Sequence, residues 1–464
     1  MTIIPQETEN NQERESRISL FFKKYEIGKL LKKCNASKAT GIAVIEIFWY
    51  LICLMFSNRS MYMQIETNRF AENFSKNTVY RFLNNGKINW EKFTVTLSER
   101  IVNQFIRPLT SKERDDVFIV DDSTYHKTGG KKTELVAKVF DHVSMKYVNG
   151  FRMLTLGWSD GNSFLPITHR LMSSGKDKNV IGTIEEYDKR SLSYKRRSQS
   201  RQKATDVMID MLTNAIKSGH HAKYVLFDSW FSNPKTVIQI KKTCNLDTIA
   251  MVKKSSKIHY VFDGNKLDIK QIYSRCKKRS GRSKYLLSVN IEITSENDKG
   301  EIESIPAKIV CVRNRSNKKD WLAIICTNVE LSEEEIIRIY GKRWDIEVFF
   351  KSCKSMLKLE SGCRSLSYDA LTAHVSIVFT RYMILSVEKR VDEDDRTLGE
   401  LFFLISDELQ DITFHKSLSI IVQALWDSVI EFLTLTHEQI SELFKNFIER
   451  LPIYLRNSLQ ISVN

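Results

Sequence analysis

The run Val117-Phe118-Ile119-Val120 sets four apolar residues in succession and then breaks abruptly into Asp121-Asp122-Ser123-Thr124. A stretch this short, rich in β-formers and bounded by turn residues, reads as a strand buried on both faces. Such a strand needs sheet neighbours beside it and packed layers above and below. Its acidic end also puts charge where sheets of this kind gather ligands, at the carboxyl ends of strands.

The surrounding sequence supplies the neighbours. Phe151 to Trp158 and Ser163 to Met172 read as strands flanking Ser159-Asp160-Gly161-Asn162, whose Asp-Gly is a hairpin signal. Ala204 to Ile216 is helical, Tyr224-Val225-Leu226-Phe227 is a second short apolar strand ending at Asp228, and Pro234 to Lys242 is helical again. This order predicts an α/β fold, a mixed sheet with helices on its faces. Five regions follow. Residues 1–107 form a helical N-terminal domain and 108–251 the first part of the core. Residues 252–329 are a β-rich insertion, 330–366 a helix completing the core, and 367–464 a helical C-terminal region suited to dimerisation or DNA contact. Within the first, Phe74 to Leu83 has the capped start and basic surface of a helix-turn-helix recognition helix, though a plain bundle helix reads the same way.

Lys and Arg total 71 against 56 Asp and Glu, a net charge of +15, so a polyanion is the natural long-range partner. The most apolar stretch, Gly41 to Phe56, contains Glu46 and is shorter than the ~20 residues that span a membrane, which favours a buried helix. The polar, acidic start lacks the apolar segment of a signal peptide, and the eight cysteines show no metal-ligand spacing; both point to reduced thiols in a cytoplasmic protein with no membrane partner.

A long helix is expected from Leu331 to Leu359, opened by the cap and acidic first turn of Ser332-Glu333-Glu334-Glu335. At about 100° per residue, Tyr340, Arg343, Glu347 and Lys354 share one face of that helix. Ile339, Ile346, Phe350 and Leu357 form the apolar stripe beside it. A ladder of Arg343, Glu347 and Lys351 on a solvated face explains part of this pattern, each pair worth ~0.2–0.5 kcal/mol. It leaves Tyr340 and Lys354 unexplained. Glu347 together with Asp228 and Asp121 or Asp122 offers three carboxylates for two divalent cations, the arrangement that in-line cutting of a phosphodiester uses. His126, His142 and His169 read as ordinary polar positions.

These residues carry a resemblance. Tyr340-x2-Arg343-x3-Glu347-x6-Lys354, within IYGKRWDIEVFFKSCKSMLK, resembles the Y-R-E-K signature of bacterial insertion-sequence transposases of the DDE type. VFIVDDSTYHK resembles that family's first acidic motif and YVLFDSWFS its second. The resemblance implies an RNase H-like catalytic core with a β-strand insertion between the second and third acids. It implies Asp122, Asp228 and Glu347 as catalytic metal ligands for two Mg²⁺ ions, which Mn²⁺ could replace. Asp122 is preferred because it directly precedes Ser-Thr, and Asp121 is the alternative. Tyr340, Arg343 and Lys354 would grip phosphates of the transposon end.

Double-stranded DNA, both transposon ends and target, and a second copy of the chain are the implied partners. Cleavage by way of a hairpin, with a flipped base on a tryptophan, makes Trp321 and Trp344 possible platforms, against the ordinary reading of both as packing. Basic segments are expected on the DNA: Lys189-Arg190, Lys195 with Arg196, Arg197 and Arg201, then Lys277 to Lys284, then Arg313, Arg315, Lys318 and Lys319. Another RNase H-like nuclease, such as a junction resolvase, and a catalytically silent DNA-binding derivative are the rival readings.

Overall fold

A computed structural model describes residues 16–451, except 58–59, 68–69, 71, 112–113, 128–129, 282, 298, 315–316, 318–319, 392–395 and 433–435. Its centre is one eleven-stranded sheet. The first six strands are β1 (Val117–His126), β2 (Ala137–Asp141), β3 (Lys146–Ser159), β4 (Phe164–Met172), β5 (Tyr224–Phe227) and β6 (Asp247–Met251). β3 pairs antiparallel with both β1 and β4, while β5 lies parallel to β1 and β6 parallel to β5. Read across the sheet, β4-β3-β1-β5-β6 is three antiparallel strands followed by two parallel ones, the RNase H-like order that the sequence led one to expect. Asp-Gly makes the anticipated turn between β3 and β4, with Gly161 at φ +91°, a conformation glycine adopts without steric cost.

The remaining strands are β7 (Tyr260–Phe262), β8 (Asn265–Leu267), β9 (Leu287–Glu296), β10 (Ile302–Arg313) and β11 (Trp321–Cys326). They prolong the same sheet, because β11 pairs with β6 and β10 and β9 follow outward. The insertion is therefore β-rich as expected, and it shares the core's hydrogen-bond ladder.

Among the described residues, six α-helices precede the sheet: α1 (Arg17–Lys24), α2 (Ile27–Lys33), α3 (Val44–Leu54), α4 (Met61–Glu66), α5 (Lys76–Leu83) and α6 (Trp90–Ile101). α3 is the apolar stretch, and Ile47, Phe48, Leu51 and Ile52 are buried in it. Helices α7 (Leu192–Ser200), α8 (Ala204–Lys217) and α9 (Pro234–Cys244) connect the core strands, and α10 (Ile269–Arg275) lies within the insertion. After the sheet come α11 (Glu333–Gly341), α12 (Trp344–Ser355), α13 (Tyr368–Val391), α14 (Leu398–Phe432) and α15 (His437–Arg450). α13 is long and apolar enough to cross a membrane, yet its apolar window is wholly buried within the protein. It packs on α3, α5, α6, α12 and β4, which makes it the common support of the N-terminal helices and the sheet.

The single helix expected over 331–359 is two helices. Between α11 and α12, the amides of Lys342 and Arg343 bond three residues back, to Ile339 and Tyr340. This tightened turn keeps helical dihedrals while breaking the i→i−4 ladder. The apolar stripe survives the break: Ile339, Ile346, Phe350 and Leu357 are all buried. α12 lies across β1 and β4, with the Phe349 ring packed between Phe164 and Tyr382 at centroid distances of 5.1 and 4.7 Å.

Candidate active site

β1 and β5 bring the first two acids together. Their parallel register pairs Ile119 with Leu226, so two residues further on Asp121 stands level with Asp228, just past the end of β5. Residues paired across a parallel ladder point to the same side. Burial dominates the behaviour of both carboxyls. Asp121 is pushed up to about 7, because burial and the charges of Asp228 and Asp122 outweigh the opposing pull of Arg343. Asp228 is also raised, by burial first and the Asp122 charge second, although it accepts the amide of Trp230 at 2.9 Å.

The third acid comes from α12. Arg343, at the tightened turn, reaches down to β1 and donates Nη1 to Asp121 Oδ2 at 3.0 Å. Its Nη2 pairs with Glu347 Oε1 one turn along the helix. The anticipated i, i+4 pair is thus real, but the same guanidinium ties Glu347 to the sheet. Tyr340 completes the group. Burial pushes its hydroxyl up to about 12, with the Asp228 and Asp121 charges adding to the effect. That hydroxyl is buried beside these charges with the Arg343 guanidinium as its polar neighbour, but meets no partner at full hydrogen-bond geometry among the described residues.

Among the described residues, no three Asp, Glu, His or Cys side chains are drawn together tightly enough to form a ready metal shell. The chemistry of the donors nevertheless suits hard divalent cations, which take carboxylate oxygens. Two buried carboxyls are held at energies unfavourable to ionisation, a third faces them across a single guanidinium, and a phenol points in without a full hydrogen bond. Added positive charge would relieve each of these.

The other expected site residues are engaged differently. Asp122 pairs with Arg152, and not with Arg343, while its charge still acts on Asp228. Of the two adjacent aspartates it is Asp121, the alternative, that is linked to Glu347; strand alternation separates the pair. Lys354 lies further along β1, donating to the Thr124 carbonyl at 2.8 Å and pairing with Glu360 at 3.0 Å. Arg196 and Arg197, expected on DNA, are turned inward on α7. Arg196 pairs with Asp369 and donates to Ile88 O at 2.9 Å. Arg197 grips both oxygens of Glu134 as well as Asp369 at 2.9 Å, with its guanidinium 3.9 Å from the Tyr187 ring centroid. Arg201 is committed to Asp177 and the Ser174 carbonyl. The basic run on α7 thus holds the fold; only neighbours such as Lys189 and Lys195 face solvent.

In the insertion, Lys277, Arg279 and Lys284 are exposed, Lys284 paired with Glu334 at 2.7 Å, whereas Arg282, Arg315, Lys318 and Lys319 lie outside the described residues. Trp321 is stacked on Tyr273 at 4.0 Å and so is used in packing; Trp344 is largely exposed. His169 is buried against Ser376, and its burial keeps it neutral. Sequence reasoning passed over Trp230. Its half-exposed ring carries the Arg152 guanidinium at 4.8 Å and Lys253 Nζ at 5.4 Å, beside Asp228. Its position two residues after a strand-end acid was the available signal.

A family model described as DDE superfamily endonuclease matches residues 45–314, more than half of the chain. The match takes in β1 and β5 with their acids and ends before α12. No curated protein matches the chain.

Proposed function

Because the chain belongs to the DDE superfamily endonucleases, we propose that it is a cut-and-paste transposase of the Y-R-E-K group, which cuts DNA at the ends of its own element and joins the freed 3′-OH to target DNA. The observation that carries this reading is Arg343, which links Asp121 on β1 to Glu347 on α12 beside Asp228. Two acids from separate elements meet at one guanidinium, and the third lies within reach of its charge.

In this reading Asp121, Asp228 and Glu347 would hold two Mg²⁺ ions, and Asp121 replaces Asp122 as the first ligand. When bound, such ions activate the attacking oxygen and neutralise charge on the leaving one. The chain's own residues position the DNA. Arg343 has a planar fork suited to phosphate oxygens, and the Tyr340 hydroxyl supplies a further donor at the same place. Lys354 adds charge further along β1. Asp121 and Asp228 are partly buried, so charges placed there act more strongly on one another than in open water.

Duplex DNA would continue over exposed cations: the insertion loop with Lys277, Arg279 and Lys284, and the outer face of α5 with Lys76 and Arg81. These contacts would fix register and carry the salt dependence. Bridging two element ends calls for two copies, and α14 exposes Phe414, Ile421 and Leu425, apolar surface that a second copy would cover. The hairpin step belongs to this same reading.

The test is a strand-transfer assay, with the DNA flanking the gene as donor, a plasmid as target and Mg²⁺ present. Donor cleavage followed by a joined product is expected. Cleavage with no joined product would assign an RNase H-like nuclease such as a junction resolvase, and binding with neither would assign a silent derivative.

A further inference from the structure

We propose that Arg343 is a latch, occupying the metal-facing oxygens of Asp121 and Glu347 until a DNA phosphate draws it away. The proposal rests on the reading of these acids as the cation-holding group, and it adds the order in which the site is assembled.

Arg343 is the single bridge between the two carboxylates among the described residues, and it is itself mostly buried, with a side-chain exposure of 16%. It uses Asp121 Oδ2 and Glu347 Oε1. The other Asp121 oxygen accepts the Asp122 amide at 2.8 Å, so the oxygen free of backbone is the one the guanidinium takes. A divalent cation shared by Asp121 and Glu347 needs that same space, and two cations cannot occupy it together. Charge alone therefore sets guanidinium and metal in competition.

The guanidinium has somewhere else to go. It sits at the tightened turn between α11 and α12, where the i→i−4 ladder is already interrupted, beside a Tyr340 hydroxyl that meets no partner at full hydrogen-bond geometry among the described residues. A phosphate placed there accepts from both groups, and a planar fork binds two phosphate oxygens as well as it binds two carboxylates. Once Arg343 turns to the phosphate, Asp121, Asp228 and Glu347 are left with uncompensated negative charge. Metal and DNA then favour the same released state, and each must tighten the other by the same factor. Cation loading is favoured in this way in chains that already hold DNA.

The experiment titrates the full chain with MnCl₂ in the absence of DNA at pH 8, reading free Mn²⁺ by electron paramagnetic resonance. The chains compared are the native one, Arg343→Gln, Arg343→Lys, and each combined with Asp228→Asn, with circular dichroism to check folding. Arg343→Gln should bind Mn²⁺ about tenfold more tightly than the native chain, within the usual range of such couplings. Arg343→Lys keeps the charge but cannot span both carboxylates, so it should fall between the two and serves if the Gln variant does not fold. Adding Asp228→Asn should abolish the gain. Equal or weaker Mn²⁺ binding in the Arg343 variants, with binding still dependent on Asp228, would overturn the latch and leave the metal site standing. Binding indifferent to Asp228 in every chain would overturn the site itself, and the latch with it.

Discussion

Replacing Asp121 with asparagine should stabilise the cation-free chain, by more at pH 8 than at pH 5. Burial holds the Asp121 carboxyl at about 7 in place of its ordinary 3.8. The folded chain therefore holds this proton more tightly than the unfolded chain does. Stability contributed by the protonated carboxyl is complete below about pH 4 and is lost as pH rises through 7. The full loss is at most about 4 kcal/mol, at ~1.4 kcal/mol for each pH unit of displacement. For a chain of 464 residues, an unfolding entropy near 1 kcal/mol/K converts this to about 4 °C in melting temperature. Scanning calorimetry in EDTA should show the asparagine variant melting about 2 °C above the native chain at pH 5 and up to about 4 °C above it at pH 8. Millimolar Mg²⁺ should raise the native chain at pH 8 and leave the variant where it was. A difference that stays flat from pH 5 to 8 would show that the pair with Arg343 outweighs burial and keeps Asp121 ionised throughout, which refutes the argument.

Arg197→Ala should lower stability by about 3–5 kcal/mol, because it strands the buried carboxylates of Glu134 and Asp369; an unchanged melting temperature with a reduced salt slope of DNA binding would return Arg197 to the DNA surface. Tyr340→Phe should cost little stability, since the hydroxyl has only the Arg343 guanidinium near it and no full hydrogen bond to lose, while cleavage falls about tenfold or more, as measured by donor-end cutting under single-turnover conditions. Lys76→Ala and Arg81→Ala on the outer face of α5 should each reduce the logarithmic salt slope of DNA binding by about 0.9, read by fluorescence anisotropy between 50 and 200 mM salt.

The parts of the fold legible in the sequence are those governed by local periodicity. The apolar runs of β1 and β5, the Asp-Gly turn before β4 and the helices α8 and α9 all lie where spacing and turn chemistry put them. β2 escaped notice because AKVFD is short and interrupted by a lysine, and it owes its strand to pairing with β3. The turn at Lys342–Arg343 carries no proline or paired glycines to announce it, and its residues keep helical dihedrals. Only the hydrogen-bond shift reveals it.

At the site, chain order and acid type made Asp228 and Glu347 the candidates, but β1 offers two neighbouring acids. Choosing between Asp121 and Asp122 depends on which face of the strand α12 covers, a tertiary fact. The same limit applies to α7. A run of cations in sequence says nothing about which of them turn inward, and Arg196 and Arg197 find Asp369 and Glu134 only once α13 and the segment before β2 are in place.

Cleavage by single acid variants tests the central claim most directly. Donor DNA carrying the gene's flanking sequences is incubated with Mg²⁺ and the native chain, Asp121→Asn, Asp122→Asn, Asp228→Asn or Glu347→Gln, with binding measured in parallel. The account predicts that the Asp121, Asp228 and Glu347 variants bind DNA yet lose about 100-fold or more in cutting rate, while Asp122→Asn retains cutting. Full cutting by the Asp121 or Glu347 variant, or loss confined to Asp122→Asn, would contradict it.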